Sequence, residues 1–163
     1  MTQTSNTAGP LKNLLTAILL TGFVAGTLDG LTAVINYMSA GKENPEIIFK
    51  YIASGVFGKK AYAGGTGMIL WGVLFHFLIS YGLTVFYFWL YPKVKWLGEN
   101  KVAAGLLYGV FAWVVTTRLI IPLSLIPQQP FNIYKAIMAI QILMLCIGLP
   151  ISLMANKHYL YKK

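Results

Sequence analysis

Acidic residues are scarce in this sequence, and charged residues of either sign are few. Only 4 of the 163 residues are Asp or Glu, and charged residues together make up 10% of the chain. Soluble domains carry about 25% charged residues and need polar groups to cover their surface. Because 57% of the residues are hydrophobic, a chain of this length has more apolar surface than its own core can bury. The composition therefore excludes an ordinary soluble domain and favours a membrane protein.

Cysteine and histidine are also nearly absent, and this excludes several kinds of site. The single cysteine, Cys146, cannot form an intramolecular disulfide. A metal site needs clustered ligands, whereas the histidines are only His76 and His158. A second axial ligand for haem and a glycine-rich turn for a nucleotide are both missing. We therefore predict no metal, no cofactor and no catalytic residue, and an enzyme is disfavoured.

The excess of basic residues, 13 Lys and Arg against 4 acids, raises the question of nucleic acid binding. A surface that binds nucleic acid concentrates its basic residues in a patch or stripe. Here the lysines are spread thinly between apolar runs, which is typical of membrane boundaries that meet anionic head groups. We predict membrane lipids as partners, and no nucleic acid.

Four long runs are nearly free of charge and long enough to cross a membrane. A helix needs about 20 apolar residues to cross ~30 Å of hydrocarbon, and lipid offers no partner for an open backbone group. The sequence therefore predicts an all-α fold, an integral membrane four-helix bundle that forms a single membrane domain over residues 1–163. The predicted spans are about 12–37, 68–91, 102–121 and 136–155.

Aromatic residues and lysines predict the span ends and the orientation. Tyr and Trp collect at bilayer interfaces. Span two closes with Tyr87, Trp89 and Tyr91 and is followed by Trp96, and span four is followed by Tyr159 and Tyr161. An even number of spans places both termini on one side, where seven lysines lie outside the spans, against five on the other side. The seven are Lys12, Lys93, Lys95, Lys101, Lys157, Lys162 and Lys163. This bias favours a multi-pass membrane protein with both termini in the cytoplasm.

An amphipathic helix is predicted between spans one and two, at about 45–57. Asn44 suits the N-cap, Pro45 the first helical position and Gly58 the C-terminal stop. Its apolar residues share a broad face opposite Glu46 and Lys50. Such a helix lies in the membrane interface, or caps the bundle as a loop would, and the two interpretations are compatible.

Glycines at four-residue spacing predict close helix packing. Span one contains Gly22, Gly26 and Gly30, and span three contains Gly105 and Gly109. In lipid there is little hydrophobic drive between helices, so small residues that let two backbones approach are favoured at contacts. The partner is either another span or another copy of the chain, which would make a homo-oligomer through the glycine faces.

Span two carries a polar stripe at the same spacing: Gly72, His76, Ser80 and Thr84. A polar stripe on a membrane helix should face protein or a cavity. Separately, we expect Pro122 in span three and Pro150 in span four to kink their helices, because proline cannot donate a backbone hydrogen bond.

Three ionisable residues lie inside the predicted spans, and each needs a partner there. At about 1.5 Å per residue, Asp29 and His76 fall at similar depths from one face, and Arg118 and Gln141 fall in the same half of the bilayer. We predict a buried polar cluster of these four residues. It can act as a structural lock or as a ligand or proton site, and a lock is favoured.

Several segments resemble a group of small bacterial four-span membrane proteins that have no assigned function. They are the run from Tyr51 to Gly58 (YIASGVFG), Gly64 to Met68 (GGTGM), Phe75-His-Phe, Phe86-Tyr, Tyr91-Pro and Gly148-Leu-Pro-Ile. The resemblance covers residues 21–156 and implies an inner-membrane protein without implying a mechanism.

Three functions remain open from the sequence. The first is a non-enzymatic membrane protein with a structural or accessory role, locked near Asp29, His76 and Arg118. The second is a small transporter or proton-coupled permease that uses the same residues. The third is a lipid-modifying enzyme with its site at the interfacial helix, near Lys50 or Tyr51.

Overall fold

The computed structural model describes residues 13–127 and 130–160, and the regular structure within them is helical. In chain order the helices are α1 (Leu14–Ser39), α2 (Glu46–Phe57), α3 (Lys60–Ala63), α4 (Thr66–Leu90), α5 (Lys95–Glu99), α6 (Lys101–Val115), α7 (Ile121–Leu123), α8 (Ile133–Leu143) and α9 (Leu149–Leu160). The predicted start of span one at Lys12 lies outside the described residues, as do Tyr161, Lys162 and Lys163.

Four helical segments are long and apolar enough to cross a membrane: Leu14–Ser39, Thr66–Lys93, Lys101–Leu123 and Ile133–Leu160. The predicted all-α four-helix bundle is confirmed. Spans two, three and four extend beyond their predicted bounds, and span four extends furthest, because its helix continues through polar residues at both ends. The outer surface exposes large apolar side chains on every span, including Leu15, Leu70, Leu107 and Leu145, as contact with lipid requires.

Each of the four spans packs against at least two others. Span one packs against α4 and against span four, span three packs against span four, and α4 also contacts α9. Spans two and three meet through aromatic rings: Tyr87 lies 4.7 Å from Tyr108, and Phe86 lies 5.4 Å from Phe111, between ring centroids. The core of the bundle therefore contains small residues where two helix backbones lie close together, and aromatic side chains where the backbones are farther apart. Its buried members include Ala17, Ala25, Tyr87, Phe88, Tyr108, Ala112, Ile151 and Ala155.

Helix α2 occupies the predicted amphipathic segment, but its capping differs from the prediction. The helix begins at Glu46, one residue later than expected, and Asn44 contributes its backbone carbonyl, which accepts from the Ile47 N–H at 3.2 Å. At the other end Gly58 has φ +58°, a conformation that favours glycine. Gly58 therefore ends α2, as the sequence predicted.

Helix α2 packs against the first half of α4. Phe49 contacts His76, and Phe57 contacts Trp71 and Phe75. These ring contacts hold the apolar side of α2 against the beginning of span two.

The proline-rich connection after span three closes over α2. The Leu125 N–H donates to the Gly55 carbonyl at 2.9 Å, and a Cβ atom built on Gly55 would lie 3.4 Å from Ser124. On the other side of α2, the Phe49 backbone lies against Gly72 of α4, where a Cβ atom would overlap it. Helix α2 is therefore held between span two and this connection.

A π-helical turn precedes each proline for which a kink was predicted. The turn Thr116–Ile120 comes before Pro122, and the turn Met144–Gly148 comes before Pro150. In each turn a backbone N–H reaches five residues back: Ile121 to Thr116, and Leu149 to Met144. The helix ladder thus changes its bonding pattern immediately before the residue that cannot donate.

Candidate polar site between spans one and two

The polar stripe of α4 donates hydrogen bonds to the backbone of α1. His76 Nε2 lies 2.8 Å from the Gly26 carbonyl oxygen, and the Ser80 hydroxyl donates to the Gly22 carbonyl at 3.1 Å. Because a carbonyl oxygen only accepts, the Nε2 atom carries the imidazole proton in this arrangement. These contacts and one from Tyr81, described next, form what we call the polar ladder: His76, Ser80 and Tyr81 with their carbonyl acceptors.

The third member of the polar ladder lies nearer the start of α1. The Tyr81 hydroxyl donates to the Leu19 carbonyl at 3.3 Å. Thr84, by contrast, donates within its own helix to the Ser80 carbonyl at 2.8 Å. Within the polar stripe, His76 and Ser80 therefore form hydrogen bonds to α1, while the Thr84 hydroxyl bonds within α4.

Glycines on α1 open the space that the polar ladder needs. A Cβ atom added at Gly22 would overlap the Tyr81 ring, one at Gly26 would lie 2.9 Å from the Phe77 ring, and one at Gly30 would lie 3.2 Å from His76 Nε2. The two predicted stripes, glycines on span one and polar residues on span two, therefore face each other.

Asp29 lies beside this ladder without joining it. The carboxylate is half-buried and interacts electrostatically with His76. Within residues 13–127 and 130–160, no hydrogen bond or ion pair reaches Asp29. The structure thus brings together two of the four residues predicted to cluster, one bonded to a backbone carbonyl and one with a carboxylate free to take another partner.

The other two predicted members, Arg118 and Gln141, are exposed rather than buried. Arg118 lies in the π-helical turn Thr116–Ile120, and Gln141 lies on α8. The prediction rested only on the similar depths of the four residues in the bilayer. Depth along a helix does not determine the direction in which a side chain points. For the described residues, the cluster is reduced to Asp29 and His76.

Spans three and four pack through glycines on both sides. A Cβ atom at Gly109 would overlap the Met144 backbone, and one at Gly148 would overlap the Gly105 carbonyl. Gly148 was not among the predicted packing residues, although Pro150 two residues later marked this segment. Both predicted glycine faces are thus covered by helices of the same chain, so neither is a free surface for a second copy.

A second polar group lies buried at the other end of the bundle, and sequence reasoning missed it. The Tyr87 hydroxyl donates to Ser152 at 2.7 Å, and the Ser152 hydroxyl donates to the Lys101 carbonyl at 2.6 Å. Tyr108 donates to the Leu83 carbonyl at 2.6 Å. Tyr87 was predicted in an interfacial belt, but it is fully buried. The sequence carries no signal for this contact, because the packing of span two against span four decides that Tyr87 faces Ser152.

The third function considered, a site at the interfacial helix, receives little support from the groups present. The Lys50 ammonium lies 3.4 Å from Glu46, four residues away on the same helix. Burial raises the pKa of Tyr51, and nearby Tyr62 raises that pKa further, so the phenol stays neutral and is a poor base. In the described part of the chain, no three His, Cys, Asp or Glu residues lie close enough together to hold a metal.

Comparison with family models, with curated proteins and with solved structures gives no match to this chain. The resemblance to small bacterial four-span proteins stays a prediction from the sequence segments quoted above. The function is therefore inferred from the contacts of this chain alone.

Proposed function

We propose that the protein is a non-enzymatic, multi-pass membrane protein with a structural or accessory role, in which the polar ladder fixes spans one and two as a rigid pair. The observation that carries this proposal is that His76, Ser80 and Tyr81 all contact backbone carbonyls of α1. A backbone carbonyl does not titrate and cannot leave its helix. Donors committed to such acceptors hold a fixed geometry instead of exchanging partners with a substrate.

The glycine contacts support the same function. The α1 glycines leave room for the hydrogen-bond donors of α4, and Gly109 and Gly148 allow the backbones of spans three and four to touch. Buried polar bonds at both ends of the bundle then oppose sliding or rotation of the spans. A scaffold needs this rigidity, whereas a transporter has to open a path to alternating sides.

The proposed location is a bacterial inner membrane, with both termini in the cytoplasm. Support comes from the lysine bias, seven against five outside the spans, and from the resemblance to four-span proteins. Fusions of alkaline phosphatase and of a fluorescent protein to the C-terminus test this orientation. Fluorescence without phosphatase activity is expected, and the reverse result would contradict it.

A second candidate, a small proton-coupled transporter, is favoured by Asp29. An ionisable residue inside a span is a functional hypothesis by default, and this carboxylate is only half-buried and has no hydrogen bond within the described residues. His76 beside it interacts electrostatically with this carboxylate. Arg118 was also assigned to this candidate, but no hydrogen bond or ion pair in the described part of the chain joins it to Asp29.

One experiment separates the two candidates. The full chain, Asp29→Asn, His76→Ala and the control Glu99→Gln are reconstituted in liposomes that contain a pH-sensitive dye, and unfolding is measured in detergent. The structural proposal expects no proton flux from any of them and loss of stability in His76→Ala only. Proton flux that disappears in Asp29→Asn, at unchanged stability, would establish the transporter instead.

A further inference from the structure

An open groove of about 510 Å³ lies between the end of span four and the start of span three. Its α9 wall is formed by Leu153, Asn156, Lys157 and Leu160, and Lys101 at the start of α6 forms the opposite wall. The four α9 residues are spaced i, i+3, i+4 and i+7, so they share one face of the helix. The groove plays no part in the polar ladder.

Buried hydrogen bonds fix the shape of this groove. The Ser152 hydroxyl donates to the Lys101 carbonyl at 2.6 Å. The Asn156 amide donates to the Tyr91 hydroxyl at 2.7 Å and to the Gly98 carbonyl at 3.3 Å. Ser152 and Asn156 are both buried. The Ser152 bond holds α9 against the start of span three, and the Asn156 bonds hold it against the end of span two and the segment that joins spans two and three. The two walls are therefore positioned before any ligand arrives.

Two positive charges in the groove have no acidic partner among residues 13–127 and 130–160. Lys101 and Lys157 are exposed, and among the described residues neither forms an ion pair. Exposed Glu99, two residues before Lys101, forms no ion pair there either. Lys93 differs, because its ammonium lies 3.2 Å from the centroid of the Trp89 ring. Lys101 also begins a 15-residue helix, whose N-terminus adds partial positive charge.

Apolar surface adjoins these charges. Leu153 is 42% exposed and Leu160 is 61% exposed. Lys101 begins span three, and Leu160 is the last residue of span four, so the groove lies at the boundary between hydrocarbon and water. A ligand that fits here has an anionic head and an apolar tail at that depth.

We propose that the groove is a binding site for one anionic phospholipid, whose phosphate lies between Lys101 and Lys157 and whose acyl chain passes Leu153. Juxtamembrane lysines attract anionic lipids, and a groove that places two ammonium groups beside an apolar wall localises that attraction. A soluble phosphate would use the lysines but leave the apolar wall open to water. The inference does not depend on the proposed function, since the polar ladder lies elsewhere in the bundle.

The test uses the full chain, purified in a neutral detergent and titrated with phosphatidylglycerol or phosphatidylcholine under native mass spectrometry. Lys101→Gln combined with Lys157→Gln is compared with a control of equal charge change, Lys59→Gln combined with Lys60→Gln. We expect tighter binding of phosphatidylglycerol than phosphatidylcholine. The Lys101/Lys157 variant should bind phosphatidylglycerol about tenfold more weakly, while the control stays within about twofold.

Three results would overturn the proposal. The first is an equal loss of phosphatidylglycerol affinity in the two double variants, and the second is equal binding of the two lipids. The third is displacement of phosphatidylglycerol by inorganic phosphate at matched concentration, which would mean that the acyl chain contributes nothing.

Helix content from circular dichroism verifies that each variant is folded. If the Lys101/Lys157 double variant is misfolded, the single variants Lys101→Gln and Lys157→Gln are each expected to lose about threefold, and an unchanged affinity in both would refute the site. Lys101→Arg with Lys157→Arg should retain binding, because the charge remains.

Discussion

Two helix interfaces in this bundle start from the same sequence pattern and end in different contacts. On α1, Gly22 and Gly26 expose carbonyl groups to the donors of α4. On α6, Gly105 and Gly109 lie against the backbone of span four. Glycines four residues apart therefore predict close approach of two helices, but the facing helix decides whether the contact is a hydrogen bond or backbone packing.

The difference also concerns what each interface tolerates. In the first interface the groups that face the glycines are side chains, which can rotate away. In the second they are backbone atoms, which move only if a whole helix moves. We therefore expect the largest losses of stability from added methyl groups between spans three and four. Losses should be moderate at the α1 glycines, where side chains of α4 must move, and smallest where one hydrogen bond is removed.

The largest effect is expected from Gly148→Ala. The added methyl group would overlap the Gly105 backbone, so spans three and four must separate, at a cost of about 2–3 kcal/mol. Chemical unfolding in detergent, followed by circular dichroism, measures the loss. Gly82→Ala is the matched control, because nothing lies within 4 Å of its added Cβ. Equal stability of the two variants would show that the backbone contact is not close in the folded protein.

Gly22→Ala should have a smaller effect than Gly148→Ala. Its methyl group meets the ring of Tyr81, and that ring can turn outward because it is only half-buried. The rotation breaks the bond from Tyr81 to Leu19, and we expect a loss of about 1–2 kcal/mol in the same unfolding assay. If the loss from Gly22→Ala exceeds the loss from Gly148→Ala, the proposed order of the two interfaces is reversed.

Ser80→Ala should cost less again. It removes one hydrogen bond to Gly22 in a buried position, and such interhelical bonds in membranes contribute about 0.6 kcal/mol on average and about 1.7 at most. Ser39→Ala, at an exposed serine that ends α1, is the control and should leave the free energy of unfolding unchanged. A Ser80→Ala loss no greater than that control would remove Ser80 from the polar ladder.

Asp29→Asn should have the smallest effect and is expected to leave the protein at least as stable as the unmodified chain. The carboxylate has no hydrogen bond to lose within the described residues, and neutralising it lowers the cost of an ionisable group inside a span. The measurement is the same unfolding free energy. A loss larger than that of His76→Ala would mean that Asp29 is itself a structural partner of span two.

The sequence was sufficient to predict the features that depend on composition and spacing. Uncharged runs identified the spans, and four-residue spacing identified the glycines of α1 and the stripe containing His76 that faces them. These predictions hold because helix geometry converts spacing along the chain into position on one face. They required no knowledge of which helix is the neighbour.

Rotation between spans could not be predicted in the same way. Depth placed Arg118 and Gln141 near Asp29, but both side chains face outward. Conversely, Tyr87 was assigned to an interface by its position near the end of span two, although it is buried against Ser152. A single chain gives the distance of each residue from the end of its helix, while facing directions follow from packing between helices far apart in sequence.

The π-helical turn Met144–Gly148 affects the phase of span four. Residues spaced four apart on an α-helix drift around its axis by about 40° per step, since 3.6 residues complete a turn. The wider π turn reverses part of this drift. Met144, Gly148, Ser152 and Asn156 follow one another at intervals of four, and each contacts span three or the segment just before it. Deleting one residue from this turn should therefore rotate Ser152 and Asn156 away from their acceptors while leaving the amino-acid composition of the span almost unchanged.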